Sequence, residues 1–145
     1  MLFKNYYRDR FPSLWTRFDQ IVSDERLLST REVLKEIEDS RIRALRDWAK
    51  DHKTIFTTPT AEEGHFVARI YKVQHFQHNI ERKKLLNGGK VADPFVVAKA
   101  AVMNGTVVTT EEHRPHAARI PNICEHFEVP CVSLEIFMEL EDWKF

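Results

Sequence analysis

Acidic residues mark two corners of one predicted αβ unit in this sequence. Asp93 precedes Pro94 at the start of an apolar helix, and Glu111 follows the β-branched segment Thr106–Thr110. Aspartate before proline is typical of a helix start, so Asp93 is predicted to be the N-cap. Because α/β folds place ligands near the carboxyl ends of their strands, Asp93 and Glu111 are candidates for one site. The alternative is a simple helix cap and a solvated turn.

A third carboxylate, Glu36, lies in the first turns of a helix predicted over residues 30–50. Glu36 borders the apolar stripe of this helix on one side and Glu38 borders it on the other, so spacing alone does not choose between them. Carboxylate oxygens are the ligands that Mg²⁺ and Mn²⁺ prefer, and such ions activate water and stabilise a phosphoryl transition state. The three acids are therefore candidate metal ligands, and a solvent-facing Glu36 stays the alternative.

The elements that must position these acids alternate helices with short apolar strands, which predicts an α/β fold with a mostly parallel sheet. Helical spacing of apolar residues predicts helices over residues 11–22, 30–50, 61–84, 94–103, 121–127 and 135–140. Short apolar segments predict strands over residues 26–29, 55–56, 106–110 and 129–134. The helix over 94–103 is apolar except for Lys99, so we expect it to be buried against the sheet and to stop at Gly105.

Composition bounds the class of protein. The 145 residues fit one domain, and 22 basic side chains balance 22 acidic ones, so no bulk charge attracts nucleic acid or anionic lipid. Two cysteines without CxxC spacing and without a signal peptide favour a reducing, cytoplasmic setting. No apolar run approaches the roughly 18 residues of a membrane span, so we expect no membrane contact.

Several segments together resemble a PIN-like family that is related to the metal-dependent ribonuclease toxins of bacterial toxin–antitoxin pairs. They are STREVLKEIE at 29–38, ADPFVVA at 92–98, VVTTE at 107–111, IPNIC at 120–124, VPCV at 129–132 and FPSLW at 11–15. The resemblance covers nearly the whole chain. It implies a single PIN-like domain over residues 1–145 with a three-layer, Rossmann-like fold, and an Mg²⁺ or Mn²⁺ site that cleaves RNA. It also implies a cognate antitoxin as a partner.

The resemblance assigns roles to individual residues. Glu36, Asp93 and Glu111 match the metal-binding acids of the family, and Thr109 matches a threonine that orients the site. The family normally opens with an apolar strand ending in aspartate, whereas residues 1–5 lead almost directly into a helix. Asp9 follows no strand and is a poor substitute for that aspartate. Two explanations are an internal or misassigned start at Met1, and closure of the gap in a homo-oligomer or by rearrangement.

Basic residues near these acids are candidates for contact with the RNA backbone. His113, Arg114 and Arg119 follow Glu111 directly, and Lys90 lies just before Asp93. Arginine, lysine and histidine bind phosphate oxygens without reading sequence, although each such cluster is also typical of a solvated face. A metal-dependent ribonuclease is therefore the leading interpretation. The alternative is a degenerate PIN-like domain that binds RNA or a protein partner without cleaving it.

Two histidine pairs suggest zinc as a further alternative. His75 and His78 lie three residues apart on one helical face, and His113 and His116 share a loop. No cysteine lies at a spacing that would complete a zinc site with either pair. We therefore expect these histidines to be surface residues.

Overall fold

The structure is a computed structural model that describes all 145 residues. It has an α/β fold in which helices outweigh four short strands. The helices are α1 (Leu2–Asn5), α2 (Pro12–Ser23), α3 (Arg31–Glu38), α4 (Arg43–Asp51), α5 (Ala61–Lys72), α6 (Gln74–Leu86), α7 (Asp93–Met103), α8 (Ile120–Phe127) and α9 (Leu134–Leu140). The strands are β1 (Ser29–Thr30), β2 (Phe56–Thr57), β3 (Val107–Val108) and β4 (Cys131–Val132), and a 3₁₀ turn, Lys53–Ile55, precedes β2.

The strands form two separate parallel pairs. In one pair β1 lies beside β2 and Ser29 is opposite Phe56; in the other β3 lies beside β4 and Val107 is opposite Cys131. Helix α7 contacts both β1 and β3, so it holds the two pairs together. The predicted parallel pairing is therefore confirmed, but the expected sheet is split in two.

Two hydrophobic cores hold the fold. The central core packs α5 and α6 against α7, α8 and the second strand pair; its buried members are Ile70, Phe76, Ile80, Val91, Val97, Ala100, Val107, Ala118, Ile123, Cys124 and Val129. The terminal core joins the first two helices to the last one; its buried members are Leu2, Leu14, Trp15, Phe18, Ile21, Leu134 and Trp143. The central core lies behind the predicted acidic site because α7 runs through it.

The two longest predicted helices are each broken, which corrects the sequence-based prediction. The helix predicted over residues 30–50 divides into α3 and α4, because residues 38–41 carry no apolar side chain that could continue the buried stripe. At this break the Ser40 hydroxyl accepts the Ile42 N–H at 3.2 Å. The helix predicted over 61–84 divides at Val73, whose backbone is extended. In both cases one helical spacing covers two helices that meet at an angle.

Both ends of α7 differ in detail from the prediction. Asp93 is not the N-cap; Ala92 occupies that position, and the Asp93 carboxylate makes no cap hydrogen bond because it pairs with a lysine instead. At the other end Asn104, with a φ of 57°, adopts the left-handed conformation, and the Gly105 N–H bonds the Ala100 carbonyl at 2.8 Å. The helix itself, predicted over 94–103, is confirmed.

Three of the four strands are shorter than predicted, the strand predicted over 55–56 lies one residue later at 56–57, and the N-terminal residues are helical. The first strand lies at residues 29–30 instead of 26–29, and only two residues of 106–110 and of 129–134 pair as strand. Residues 2–5 form α1, so no strand precedes β1. No helix combines the length and the hydrophobicity that would be needed to cross a membrane.

Candidate active site

A tight chain reversal brings a basic and an acidic side chain together. After α6 the chain turns back through Gly88 and Gly89, which have φ values of 63° and 86°. Such left-handed conformations suit glycine because it has no Cβ atom. The Gly89 N–H closes the turn on the Lys84 carbonyl at 2.7 Å. As a result, Asp93 at the start of α7 lies beside Lys83 in the last turn of α6.

Lys83 lies between two of the predicted acids. Its Nζ atom is 2.5 Å from Oδ2 of Asp93 and 4.0 Å from Oε1 of Glu111. Partial burial works against the charged ammonium, but the hydrogen bond to Asp93 and the negative charges of Asp93, Glu111 and Glu36 together raise the pKa of Lys83. Lys83 is therefore protonated at neutral pH and acts as a counter-ion inside the acidic cluster.

Glu36 ties α3 to the start of α7. Its Oε1 accepts the Ala92 N–H at 2.9 Å, and Ala92 is only 1% exposed, so this backbone donor has no access to water. Burial of the carboxylate raises the pKa of Glu36, and the negative charge of Asp93 adds to this rise. The hydrogen bond from the Ala92 N–H lowers the pKa but does not cancel the rise. Glu36 rather than Glu38 therefore faces the other acids, although Glu36 as a whole residue is still exposed to solvent.

Glu111 is fixed from two sides. The Glu111 N–H bonds the Thr109 hydroxyl at 3.0 Å, and the Thr109 N–H continues the pairing of β3 with β4 by bonding the Val132 carbonyl at 3.0 Å. One carboxylate oxygen, Oε2, accepts the Ile120 N–H at the start of α8 at 3.0 Å. A carboxylate at a helix N-terminus is favoured by the helix dipole. Its other oxygen, Oε1, points toward Lys83.

The three predicted acids thus form one cluster, defined here as Glu36, Asp93 and Glu111, with Lys83 among them. Each acid has one oxygen held by a protein donor and one oxygen without such a donor. One ammonium against three carboxylates leaves two negative charges uncompensated. As placed in the structure, no three histidine, cysteine or carboxylate side chains could together hold one metal ion. The cluster can attract a cation, and its free oxygens are hard ligands.

A cavity of about 390 Å³ adjoins the acidic cluster on the side of β4. It shares Glu111 with the cluster, and Thr109, His113, Cys131 and Ser133 also line it. Its walls are part polar and part apolar, as is common where a small organic group binds. A substrate that reaches Glu111 therefore has space beside it.

The four basic residues predicted to bind nucleic acid lie at the edge of the cluster without contacting it. Lys90 Nζ is 2.6 Å from Oδ2 of Asp39, and His113 Nε2 is 2.7 Å from Oε2 of Glu125. The exposed Arg114 is held through its backbone by Asn122, and Arg119 donates to the Glu112 carbonyl at 3.4 Å; none of the four forms an ion pair with Glu36, Asp93 or Glu111. Their role in binding RNA stays a prediction.

Lys83 was not among the basic residues that the sequence analysis placed near the acids, so its contact with them was missed. A signal existed, because Phe76, Ile80 and Lys83 follow the i, i+4, i+7 spacing of one helical face, and the first two are buried. A lysine that continues a buried stripe points inward. The histidines are surface residues, as expected: His75, His78, His113 and His116 are all exposed. Of the two cysteines, Cys124 is buried, which raises its pKa, whereas Cys131 is only half-buried and lines the cavity.

Comparison with known proteins identifies the family. Residues 2–145 match a family described as a domain of unknown function, DUF4411, so the chain belongs to the DUF4411 family. No curated protein and no solved structure matches the chain. The family covers α1 through α9, and it therefore includes every residue of the acidic cluster.

Proposed function

We propose that this DUF4411 protein is a metal-dependent ribonuclease that hydrolyses RNA phosphodiester bonds with Mg²⁺ or Mn²⁺. The observation that carries the proposal is the convergence of Glu36, Asp93 and Glu111 from three separate elements. Glu36 comes from the helix after β1, Glu111 from the chain after β3, and Asp93 from the start of the helix that contacts both strands. The carboxyl ends of parallel strands are where α/β folds bind ligands.

The chemistry of the donor set suits a divalent cation, although the three carboxylates would have to move closer together to share one ion. Three carboxylates supply only hard oxygen atoms, each has an oxygen free of protein donors, and two of their charges are uncompensated. Glu36, Asp93 and Glu111 would hold the ion. When bound, such an ion activates water and stabilises the charge that develops on a phosphoryl group.

The protein residues around the acids keep them in place. Thr109 fixes the backbone of Glu111, Ile120 holds one oxygen of Glu111, and Ala92 holds one oxygen of Glu36. Preorganised ligands reduce the cost of assembling a site. The adjoining cavity of about 390 Å³ would receive a nucleotide next to the cleaved bond, and Lys90, His113, Arg114 and Arg119 would lie along the RNA backbone.

The fold proposal follows from the same arrangement. The two strand pairs, with α7 in contact with both, would correspond to the sheet of a three-layer, PIN-type fold that lacks its first strand. In this interpretation the DUF4411 protein is related to the family of ribonuclease toxins, and a cognate antitoxin is a candidate partner. A second copy of the chain is a candidate for filling the place of the first strand in the sheet.

RNA cleavage with Mn²⁺ tests the proposal. The parent chain is compared with Asp93→Asn and with Asp19→Asn, a matched control in which an exposed carboxylate outside the cluster, paired with Arg8, becomes an amide. Because Asp93→Asn removes several kcal/mol of transition-state stabilisation, we expect its rate of RNA cleavage to fall about 100-fold or more. Asp19→Asn should cleave like the parent. Equal cleavage by Asp93→Asn, or no cleavage by the parent, would contradict the proposal.

A second candidate function is binding of RNA or a protein partner without cleavage. The ion pair of Lys83 with Asp93 favours it, because an acid cluster that already holds an ammonium has less need of a metal ion. This candidate predicts that the parent retards RNA in a gel with EDTA present and gives no cleavage products when Mn²⁺ is added.

A further inference from the structure

Lys83 is the only cationic side chain that forms an ion pair with a member of the acidic cluster. Its Nζ lies 2.5 Å from Asp93 Oδ2 and 4.0 Å from Glu111 Oε1, and its side chain is 40% exposed. The ammonium therefore lies on the open side of the cluster, between two of the oxygens that a cation would contact. Its four-carbon stem is flexible and extends from the last turn of α6, so it can leave without disturbing the helix.

We propose that Lys83 competes with the divalent cation for the acidic cluster, an inference that rests on the proposed function. In the metal-free protein the ammonium neutralises part of the repulsion among Glu36, Asp93 and Glu111. An ammonium and a divalent ion at the same carboxylate repel each other, because both are positive and only a few ångströms apart. Binding of the cation therefore drives Lys83 away from Asp93, and the cost of breaking this ion pair weakens the apparent affinity for metal.

The competition has a second physical consequence. A charge-assisted hydrogen bond must be broken in the parent before the ion binds, but no such bond exists once the lysine is replaced by a neutral residue. The neutral variant is less stable without metal because its three carboxylates face each other unscreened. The same variant gains more from the cation, so removal of a positive side chain increases metal binding at the expense of metal-free stability.

A thermal-shift titration with MnCl₂ tests the inference on the full chain. Lys83→Met is compared with the parent and with Lys84→Met, a matched control on the same helix whose Nζ lies 3.7 Å from Glu81 Oε1. We expect the half-saturating Mn²⁺ concentration, which is the apparent Kd obtained from the dependence of Tm on Mn²⁺ concentration, to fall about tenfold in Lys83→Met. Lys84→Met should match the parent.

Lys83→Gln covers the case in which methionine prevents folding without metal. Glutamine is neutral but polar, and we expect it to lower the half-saturating concentration in the same direction. Lys83→Arg keeps the positive charge and should not lower it.

The outcomes separate the two proposals. If the parent, Lys83→Met and Lys83→Gln have the same half-saturating Mn²⁺ concentration, the competition is overturned. In that case the metal site is still supported if the parent shows a Mn²⁺ shift in Tm and the Asp93→Asn variant shows none. No Mn²⁺ shift in the parent or in either neutral variant overturns the metal site and the competition together. If the half-saturating Mn²⁺ concentration also falls tenfold in Lys84→Met, the effect is one of general charge, and the specific role of Lys83 is overturned.

Discussion

The hydrogen bond from Ala92 to Glu36 makes a quantitative prediction about stability. The prediction compares two neutral replacements, Glu36→Ala and Glu36→Gln. Glutamine keeps a side-chain oxygen that can accept the Ala92 N–H, whereas alanine leaves this donor without a partner. Both variants remove the same negative charge from the acidic cluster, so the difference between them isolates the hydrogen bond.

The structure sets the size of this difference. A buried, unsatisfied backbone donor costs about 1–3 kcal/mol. Ala92 is 1% exposed, which argues for the full cost, but Glu36 is exposed, so water can enter once its side chain is shortened. We therefore expect Glu36→Gln to be more stable than Glu36→Ala by about 1–2 kcal/mol, or roughly 3 °C in Tm per kcal/mol.

Urea unfolding in EDTA measures the effect without any contribution from metal. The matched controls are Glu38→Gln and Glu38→Ala, on the same helix but outside the cluster. For these two variants only helix propensity differs, and it slightly favours alanine. We compare the difference in free energy of unfolding between Glu36→Gln and Glu36→Ala with the difference between Glu38→Gln and Glu38→Ala. If the first difference is no larger than the second, the hydrogen bond from Ala92 has no energetic role and the prediction is wrong.

The same residue predicts a pH dependence with a defined sign. Burial raises the pKa of Glu36 above its ordinary value of 4.5, so the folded protein binds this proton more readily than the unfolded chain does. Ionised Glu36 therefore lowers stability at pH 7, and this cost disappears as the pH falls below the unfolded value. The gain in stability of Glu36→Gln over the parent should be greatest near pH 7 and vanish near pH 4. A gain that grows toward acid pH would contradict the sign.

Three further predictions concern buried polar groups. Thr109→Val removes the acceptor of the Glu111 N–H, so urea unfolding should show a loss of about 1 kcal/mol and cleavage should slow; unchanged values for both would contradict this role. Glu63 is 2% exposed, and its Oε1 lies 3.9 Å from Lys99 Nζ. Lys99→Met leaves this buried carboxylate without its cation and should lower the free energy of unfolding by about 3 kcal/mol. Adding Glu63→Gln should restore part of that loss, and a further loss would refute the pairing. Cys124, whose burial raises its pKa, should react with a thiol reagent at pH 8 far more slowly in the folded protein than in denaturant, and equal rates would contradict its burial.

The buried helix and the position of Asp93 at its start could be predicted from the sequence, because their signals are local. Asp93 with Pro94 marks the start of α7, and the apolar run after it marks a helix that is buried. Glu36 needed the family resemblance, because periodicity placed Glu36 and Glu38 equally well beside the stripe. In the structure the choice depends on the Ala92 N–H, which lies 56 residues away along the chain.

The remaining features depend on tertiary contacts that have no local signal. Strands of two residues are too short to show an alternating pattern, so their bounds and the division into two pairs could not be predicted. The break between α3 and α4 was hidden because Ile37 and Leu45 happen to continue one helical spacing. The pairing of Lys83 with Asp93 depends on the reversal at Gly88 and Gly89, which sets the direction in which α7 leaves.

The terminal core has a consequence for the order in which the protein folds. Its members come from residues 2–21 and 134–143, whereas the central core draws on residues 70–129. During synthesis the ribosome releases Trp15 and Phe18 long before Leu134 and Trp143 exist. Part of the apolar surface of α1 and α2 must therefore stay open to solvent or to chaperones until residues 134–143 have been made. The acidic cluster can assemble before these residues exist, and residues 134–143 decide when the apolar surface of α1 and α2 is fully covered.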